Sequence, residues 1–335
     1  MMVGYKILMT DRVKKVIKDI LPYGMMKDKR NPDNYFVQGI SDISPTVYDV
    51  NGNKYHRYYL DDMVSSSTPY SLVEHVYPRH ILWDRFNRAL PEHFYIHTSI
   101  KSTSGLCRTK YAIMRESEGF LPKMYDWVMT HEGEMREFDT IFTHSERILN
   151  KYANSKYAIA NGIWYGVKST EEEVLKNISA GKSKDVCMIA SNKTISKTHR
   201  DRLELAKYCE RTAEIDVYGT AVNRPIDTKD AVLNEYRYSI AIENNSTPYY
   251  FTEKILDCFA SKTVPIYYGA TEIGNWFNTD GIIQIKKDDF SNIESIVTQC
   301  SEKDYLDRAD AIEDNYQRVK KFDCIENYLT DNYGI

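Results

Sequence analysis

Short apolar segments alternate with amphipathic segments through the second half of this chain. Five of the apolar segments have the character of strands covered on both faces, and they occupy residues 185–190, 215–218, 238–242, 264–268 and 282–285. Strand-like and helix-like segments in this order are typical of βα units arranged around a parallel sheet. The alternation therefore predicts an α/β domain in the second half of the chain.

Amphipathic segments between and after these strands are the predicted helices. One occupies residues 198–210, and a second occupies residues 252–261, with Thr252 placed to cap its first turn. A third occupies residues 304–321, where apolar side chains recur at helical spacing, at Leu306, Ala309, Ile312, Tyr316 and Val319. This spacing predicts one long final helix, which we expect to return across both domains.

The first half of the chain has strand-like segments that a polar insertion interrupts. The segments occupy residues 4–9, 94–96, 110–114 and 138–142, and the insertion occupies residues 31–67. Within the insertion, residues 50–53 have the composition of a hairpin turn. At 335 residues, the chain is long enough for two domains of average size. A polar run near residues 166–181 predicts the linker, so we expect domains at residues 1–170 and 180–335.

Composition and charge narrow the classes of function. The formal net charge is only −4, and basic and acidic residues are mixed along the chain, which argues against nucleic-acid binding. The six cysteines are scattered without a zinc-binding spacing, and no apolar run is long enough to span a bilayer. These features predict a cytoplasmic protein with reduced thiols and no stable membrane insertion, from a bacterial or viral source rather than the secretory pathway.

One predicted strand ends just before Glu243 and Asn244. Open α/β sheets bind nucleotides in crevices at the carboxyl ends of such strands. The helix predicted to begin at Thr252 would direct free backbone N–H groups and a positive dipole end at a diphosphate, and Lys254 would add a full positive charge. Glu253 carries a carboxylate suited to ribose hydroxyls. The alternative is that Glu253 and Lys254 only form a solvated first helical turn.

The same region resembles the signature of the alpha-1,3-fucosyltransferases. That signature runs Glu-Asn-Ser, a gap, Tyr-x-Thr-Glu-Lys, a helix, and then Pro-[IV]-x-x-Gly. This chain reads ENNSTPYYFTEK at residues 243–254 and PIYYG at residues 265–269, and it departs from the family at Asn245, where a serine is usual. The resemblance implies a GT-B-like α/β fold, in which two Rossmann-like domains face a central cleft, and GDP-fucose as the donor substrate with no separate cofactor.

The resemblance also implies how the donor diphosphate is held. Ser191-Asn192 followed by Arg200 looks like the family's segment whose arginine grips the diphosphate, and Arg202 is the alternative arginine. A guanidinium suits this role because its planar fork pairs with two phosphate oxygens as charge builds on the leaving group. Arg200 and Lys254 are thereby expected to stabilise the departing GDP.

Other residues of the second domain are implied to line the donor site. Asn244, Tyr250 and Glu253 would hold the ribose and the phosphates. Glu243, at the strand end, would either contact the fucose or brace the loop. Tyr218 ends a segment similar to the family's strand end beside the nucleotide.

The first domain is implied to hold the glycan acceptor. Its segment Arg115-Glu116-Ser117-Glu118 is similar to the short acidic segment that supplies the family's catalytic carboxylate. An inverting transfer to a hydroxyl needs a base that takes the proton from that hydroxyl. The resemblance gives this role to Glu116, with Glu118 as the competing candidate, and the remaining alternative is that both lie on a solvated loop.

We expect no metal site in this chain. It contains no Asp-x-Asp triplet, the arrangement with which many other glycosyltransferases hold a divalent ion on the diphosphate. Side-chain cations and a helix end would take the place of that ion. Five dispersed histidines are expected to be structural or to line the acceptor site rather than to bind metal: His80, His93, His97, His131 and His144.

Two other functions stay open from the sequence. The first keeps the fold and uses a different nucleotide sugar, because the groups that bind the diphosphate do not contact the hexose. The second is a catalytically silent protein that binds a glycan or a nucleotide. The joint presence of Glu116, Arg200 and Lys254 argues against the silent protein.

Overall fold

In the residues that it describes, the computed structural model contains two β-sheets with helices packed on them. It describes residues 44–48, 52–61, 78–85, 87–103, 107–166 and 168–335. The strand predicted at residues 4–9 lies outside these described residues. Both sheets are mainly parallel, which confirms the predicted α/β class.

The N-terminal sheet contains seven strands within the described part of the chain. They are β1 (Thr46–Tyr48), β2 (Lys54–Asp61), β3 (Ile81–Asp84), β4 (Glu92–Ile96), β5 (Thr109–Met114), β6 (Thr140–Thr143) and β7 (Ser155–Tyr157). Their order is β1-β2-β4-β5-β6-β7, with β3 also paired to β2. Strands β1 and β2 pair antiparallel, as the predicted hairpin turn requires, so the polar insertion supplies two strands of the sheet.

Three short α-helices accompany this sheet in the described part of the N-terminal half. They are α1 (Pro122–Thr130), α2 (Glu132–Met135) and α3 (Glu146–Lys151). Helix α1 begins at a proline, whose fixed φ suits a first helical residue. It buries Met124, Tyr125 and Val128 against the sheet's core.

The C-terminal sheet contains the five strands that the apolar segments predict. They are β8 (Lys184–Ile189), β9 (Ile215–Tyr218), β10 (Tyr236–Ile242), β11 (Val264–Tyr268) and β12 (Ile283–Gln284), in the order β12-β11-β10-β8-β9 and all parallel. Every residue of the central strand β10 is buried, as expected for a strand covered on both faces. Strand β12 is shorter than predicted.

Five helices belong to the first part of this half. They are α4 (Glu171–Ser179), α5 (Lys197–Cys209), α6 (Asp230–Leu233), α7 (Glu253–Ala260) and α8 (Ile293–Val297). Thr252 caps α7 as predicted, because its hydroxyl accepts the backbone N–H of Lys254. The predicted linker contains helix α4. This helix begins with a capping box formed by Thr170 and Glu173.

The prediction of one helix over residues 304–321 is wrong. The chain forms α9 (Glu302–Asp307) and α10 (Ala309–Val319), with Arg308 outside the helical region at φ −95° and ψ 6°. The side chain of Arg308 donates to the Asp280 carbonyl at 2.6 Å, 28 positions earlier in the chain. No local sequence pattern predicts this contact. As a result Leu306 is 62% exposed, while α10 buries its own apolar face.

A last helix, α11 (Ile325–Tyr333), crosses to the N-terminal sheet. The indole N–H of Trp83 in β3 donates to Glu326 at 2.8 Å, and the backbone N–H of Arg79 donates to the Asn327 side chain at 2.9 Å. The chain therefore returns across both domains, as expected, but through α11 rather than through residues 304–321. This return ties the two sides of the central cleft together.

Candidate functional site

Glu243 follows strand β10 and braces the loop that leads to helix α7. The side chain is completely buried, and its carboxylate accepts the backbone N–H and the hydroxyl of Thr252, both at 2.8 Å. Its own backbone N–H donates to the Tyr268 carbonyl at 2.8 Å. Of the two roles expected for Glu243, this geometry fits the bracing of the loop.

Lys254 lies in the first turn of α7 among oxygen acceptors. Its Nζ donates to Thr252 Oγ1 at 3.0 Å and lies 3.3 Å from Glu243 Oε2 and 3.2 Å from Glu253 Oε1. The side chain is 20% exposed, and these contacts hold the ammonium group at the helix start. A fixed cation at a helix N-terminus is suited to a phosphate group.

Glu253 connects helix α7 to the N-terminal domain. Asn161 donates to its Oε2 at 3.0 Å, and Arg115, just after β5, donates to the Asn161 side-chain oxygen at 3.2 Å. Burial would raise the pKa of Glu253, but the charges of Lys254 and Lys229 and its hydrogen bonds lower that pKa to about 2. Glu253 is therefore an ionised acceptor at neutral pH. No sequence pattern indicates Asn161, because its contacts are made only in the folded chain.

Arg202 reaches from helix α5 to the end of strand β10. It donates to the Asn244 side-chain oxygen at 3.1 Å, to the Ile242 carbonyl at 3.3 Å and to the Ser191 hydroxyl at 3.4 Å. The residue is only 7% exposed. Its Nε is buried and has no hydrogen-bond partner within the described residues. Arg202 thus retains a buried donor that no described residue satisfies.

Arg200, the arginine that the resemblance favours, does not reach this strand end. It is exposed, and it donates to the Thr194 carbonyl at 3.1 Å in the preceding loop. The reason is the helix phase, because Arg202 shares the buried face of α5 with Leu205 and Cys209, three and seven residues later. The structure brings the alternative arginine to the end of strand β10.

Tyr250 is a buried residue of the loop after strand β10, and its ring contacts the N-terminal domain. It is 2% exposed, and its ring lies 4.7 Å from that of His144, centroid to centroid. Burial raises the pKa of Tyr250 well above 10, and the charges of Glu243, Glu116 and Glu253 raise it further. His144 also contacts the Glu116 carbonyl, so Tyr250 of the C-terminal domain lies near the segment that contains Glu116.

The backbone of Glu116 is held from three sides. Its N–H donates to His97 Nε2 at 3.1 Å, and its carbonyl accepts the Tyr125 hydroxyl at 2.6 Å and lies 3.2 Å from His144 Nε2. The Glu116 carboxylate has no hydrogen-bond or ion-pair partner in the part of the chain that is described. A fixed backbone with an unoccupied carboxylate is what a proton acceptor needs.

Both histidines that contact Glu116 are neutral. Burial lowers the pKa of His97 to about 3, with smaller effects of Arg115 and His144, and burial lowers the pKa of His144 to about 4. Only a neutral imidazole can accept the backbone N–H of Glu116 as His97 does. His97 adopts a left-handed backbone with φ 50°, an uncommon conformation for this residue type.

The carboxylate of Glu118, the competing candidate for the base, already has partners at both oxygens. It accepts the Ser145 hydroxyl at 2.5 Å and lies 2.9 Å from Nε of Arg147. These contacts hold it against the start of α3 and use both of its oxygens. Of the two acidic residues, Glu116 therefore has the more available carboxylate.

Tyr218 ends strand β9 with its hydroxyl already engaged. The hydroxyl lies 2.8 Å from that of Tyr236, which donates to Asp216 at 2.5 Å. The guanidinium of Arg224 lies 4.3 Å from the Tyr218 ring centroid. Tyr218 can thus offer a ring edge to a nucleotide more readily than its hydroxyl.

Nothing in the described residues is arranged as a metal site or a bilayer span. No group of three or more His, Cys, Asp or Glu side chains could hold an ion there. The helices described above include none with the length and apolar character to cross a bilayer. All six cysteines fall in the described ranges, and each is a free thiol.

Residues 179–326 match the model of the family "Glycosyltransferase family 10 (fucosyltransferase) C-term". The alpha-(1,3)-fucosyltransferase FucT of Helicobacter pylori is 31% identical over 72 residues, which is 22% of this chain and 15% of that protein. Glycoprotein 3-alpha-L-fucosyltransferase A of Drosophila melanogaster is 25% identical over 164 residues, which is 47% of this chain and 31% of that protein. The chain thus aligns with less than a third of the length of these relatives.

Solved structures with a related architecture include an α1,3-fucosyltransferase with GDP-fucose, at a TM-score of 0.47 and 16% identity, over 83% of this chain and 91% of that one. A sucrose-phosphate synthase from Thermosynechococcus elongatus has a TM-score of 0.47 and 10% identity, over 75% and 74% of the two chains. The family match covers β8 to β12 and the helices that carry Arg202 and Lys254. Residues 179–326, less than half of the chain, thus resemble the C-terminal part of glycosyltransferase family 10, the fucosyltransferases.

Proposed function

We propose that this chain is an inverting glycosyltransferase that moves L-fucose from GDP-fucose to a hydroxyl of a glycan acceptor. The observation that carries the proposal is the pairing of two half-sites across the cleft. The C-terminal half-site presents Arg202 and Lys254 beside strand β10. The N-terminal half-site presents Glu116, whose carbonyl lies 3.2 Å from His144, and the His144 ring lies 4.7 Å from that of Tyr250 beside the C-terminal half-site.

The donor half-site has the charges that a leaving nucleoside diphosphate needs. When the bond between the fucose anomeric carbon and the β-phosphate oxygen breaks, its electron pair stays on the phosphate. Lys254 and the unpartnered Nε of Arg202 would stabilise that charge. Asn244, Tyr250 and Glu253 would hold the ribose and the phosphates beside them. Tyr218 would contact the nucleotide at the end of β9.

Glu116 would act as the base on the acceptor side. The acceptor oxygen attacks the anomeric carbon from the face opposite GDP, and its proton passes to the Glu116 carboxylate. Attack from the opposite face inverts the configuration, so a β-linked donor sugar gives an α-linked product. The contacts of His97, His144 and Tyr125 to the Glu116 backbone would keep the carboxylate in place during this transfer.

We also propose that the diphosphate is held without a divalent ion. Arg202 and Lys254 supply two positive charges within the crevice, and the N-terminus of α7 adds its dipole. A reaction of this kind is expected to proceed at an unchanged rate in excess chelator. A rate that falls with chelator and returns with Mg²⁺ or Mn²⁺ would contradict this part of the proposal.

The function is tested by transfer from GDP-fucose to a panel of glycans, with the product linkage determined by NMR. We expect GDP release that depends on an acceptor and an α-linked fucosyl product. Transfer from a UDP sugar but not from GDP-fucose would replace the donor assignment. A β-linked product would overturn the inverting mechanism, and binding of GDP-fucose with no transfer to any glycan would favour a catalytically silent protein.

A further inference from the structure

His199 lies three residues before Arg202 on helix α5 and faces the cleft. It is 3% exposed, and its ring lies 6.1 Å, centroid to centroid, from that of Phe120 in the N-terminal domain. Phe120 belongs to the loop that contains Glu116. His199 therefore lies between the donor half-site and the segment that carries the proposed base.

An unusual capping box fixes the protonation of this imidazole. Ser196 caps helix α5, and the third helical position, which commonly holds Glu or Gln, holds His199. The backbone N–H of Ser196 donates to His199 Nδ1 at 3.3 Å, and the Ser196 hydroxyl lies 2.6 Å from the same atom. Because Nδ1 accepts the backbone N–H, the proton of the neutral ring resides on Nε2.

The Nε2–H of His199 has no hydrogen-bond partner among the residues that the structure describes. Burial, together with the smaller effects of the positive charges of Arg202, Lys254 and Lys193, lowers the pKa of His199 to about 4. The ring is thus a neutral donor among three cations, with Arg202 on its own helix, Lys254 on α7 and Lys193 in the preceding loop. An anionic oxygen is the ligand that such a group would bind.

A second, independent feature points to the same ligand. Arg202, which shares the buried face of α5 with His199, also has a buried nitrogen without a partner within the described residues. Two donors without a partner among the described residues therefore lie three residues apart on one helix face, beside the cation of Lys254. A phosphate oxygen in the crevice would satisfy both.

We propose that His199 is a further donor-binding residue, whose Nε2–H donates to an oxygen of the nucleotide diphosphate. This inference rests on the proposed function, because it assigns a ligand to the same crevice. The contact places a neutral donor beside Arg202, so the leaving group gains a hydrogen bond without a further full charge. The same imidazole would then contact the diphosphate through Nε2 and Ser196, the N-cap of α5, through Nδ1.

Selective ¹⁵N labelling of the histidines tests the contact directly. Free His199 is expected to show the tautomer with the proton on Nε2, and the Nε2 resonance is expected to shift on addition of GDP but not of guanosine. The signal is assigned by its loss in His199→Gln. A shift of equal size with guanosine, or no shift with saturating GDP, would overturn the proposal.

A matched pair of variants tests the energetics. Glu and Gln both preserve the capping box, but Glu has no donor at neutral pH and adds a negative charge, whereas the Gln amide can donate. We expect His199→Glu to weaken GDP binding by at least about tenfold with guanosine binding unchanged, and His199→Gln to remain within about threefold of wild type. Equal affinity of the two variants for GDP would contradict the contact.

The failure of this inference is distinguishable from the failure of the proposed function. If the wild-type chain does not bind GDP, the donor assignment fails and this inference fails with it. If the wild-type chain binds GDP while the His199 resonance and the two variants do not respond, only the role of His199 is overturned. Thermal unfolding of both variants confirms that the cap and the fold are retained.

Discussion

The guanidinium of Arg202 donates to the side-chain oxygen of Asn244 at 3.1 Å. This bond joins helix α5 to the loop that follows strand β10, two elements that meet only when the C-terminal sheet is assembled. The arginine therefore holds the loop through Asn244 and keeps its Nε without a partner among the described residues. The proposed donor half-site therefore combines Arg202, which precedes strand β10 in the chain, with Lys254, which follows it.

Arg202 rather than Arg200 is expected to carry the diphosphate. Arg202→Ala should weaken GDP binding about 10- to 100-fold, because hydrogen bonds to charged groups contribute about 1.5–3 kcal/mol. Arg200→Ala should change the affinity less than about twofold, because that side chain is exposed and directed at Thr194. Calorimetric titration with GDP checks both variants, and a larger loss in Arg200→Ala would reverse the assignment.

Glu116 is expected to be the base and Glu118 a structural residue. Glu116→Gln should lower kcat about 100-fold or more while GDP binding is retained, because general base catalysis contributes about 10²–10⁴-fold. Glu118→Gln should lower the unfolding temperature, since it weakens the contacts to Ser145 and Arg147, and should retain most of the activity. Initial rates of GDP release decide the matter, and comparable losses of kcat in the two variants would argue against this division of roles.

Gly219 is expected to tolerate no side chain. Its φ is +100°, and a Cβ there would lie 2.2 Å from the Ala190 carbonyl oxygen, so backbone has to move. Gly219→Ala should destabilise the chain by more than about 1 kcal/mol. Gly181→Ala is the control, because Gly181 also has a positive φ of +77° but an added Cβ would meet nothing within 4 Å. Urea unfolding compares them, and equal midpoints would show that the close approach is absent.

Glu253 is expected to shape the acid limb of the stability profile. A carboxyl whose pKa falls from 4.5 to about 2 on folding contributes stability above pH 4.5, on the order of 3 kcal/mol. That contribution is lost as the pH falls from about 4.5 towards 2. Glu253→Gln should flatten this part of the profile, whereas Glu172→Gln on the exposed face of α4 should not. Urea midpoints measured between pH 2 and pH 6 check this, and an unaltered slope in Glu253→Gln would refute it.

The sequence predicts those features that local patterns determine. Strands β8 to β12 follow from short apolar segments, and the start of α7 follows from Thr252, whose hydroxyl caps the helix as expected. The helical phase of α5 also holds a signal for Arg202, because it lies three residues before the apolar Leu205 and Arg200 does not. Helical phase would therefore have indicated which arginine reaches the end of strand β10.

Other features depend on contacts between distant segments. The break at Arg308 depends on the Asp280 carbonyl, so amphipathic spacing alone extends the helix too far. Asn161 contacts Glu253 across 92 positions of the chain, and no motif surrounds it. His97 accepts the backbone N–H of Glu116 only because strands β4 and β5, which precede these two residues, pair in the sheet. Such residues are found only when the sheets are assembled.

Calorimetric binding of GDP, GDP-fucose, guanosine and a UDP sugar to the wild-type chain and to Lys254→Ala tests the central claim most directly. We expect the wild-type chain to bind GDP and GDP-fucose but not the UDP sugar, and Lys254→Ala to lose affinity for GDP with guanosine binding retained, because Lys254 contacts the diphosphate. Binding of the UDP sugar with none of GDP, or an equal loss for GDP and guanosine, would contradict a donor site built around Lys254.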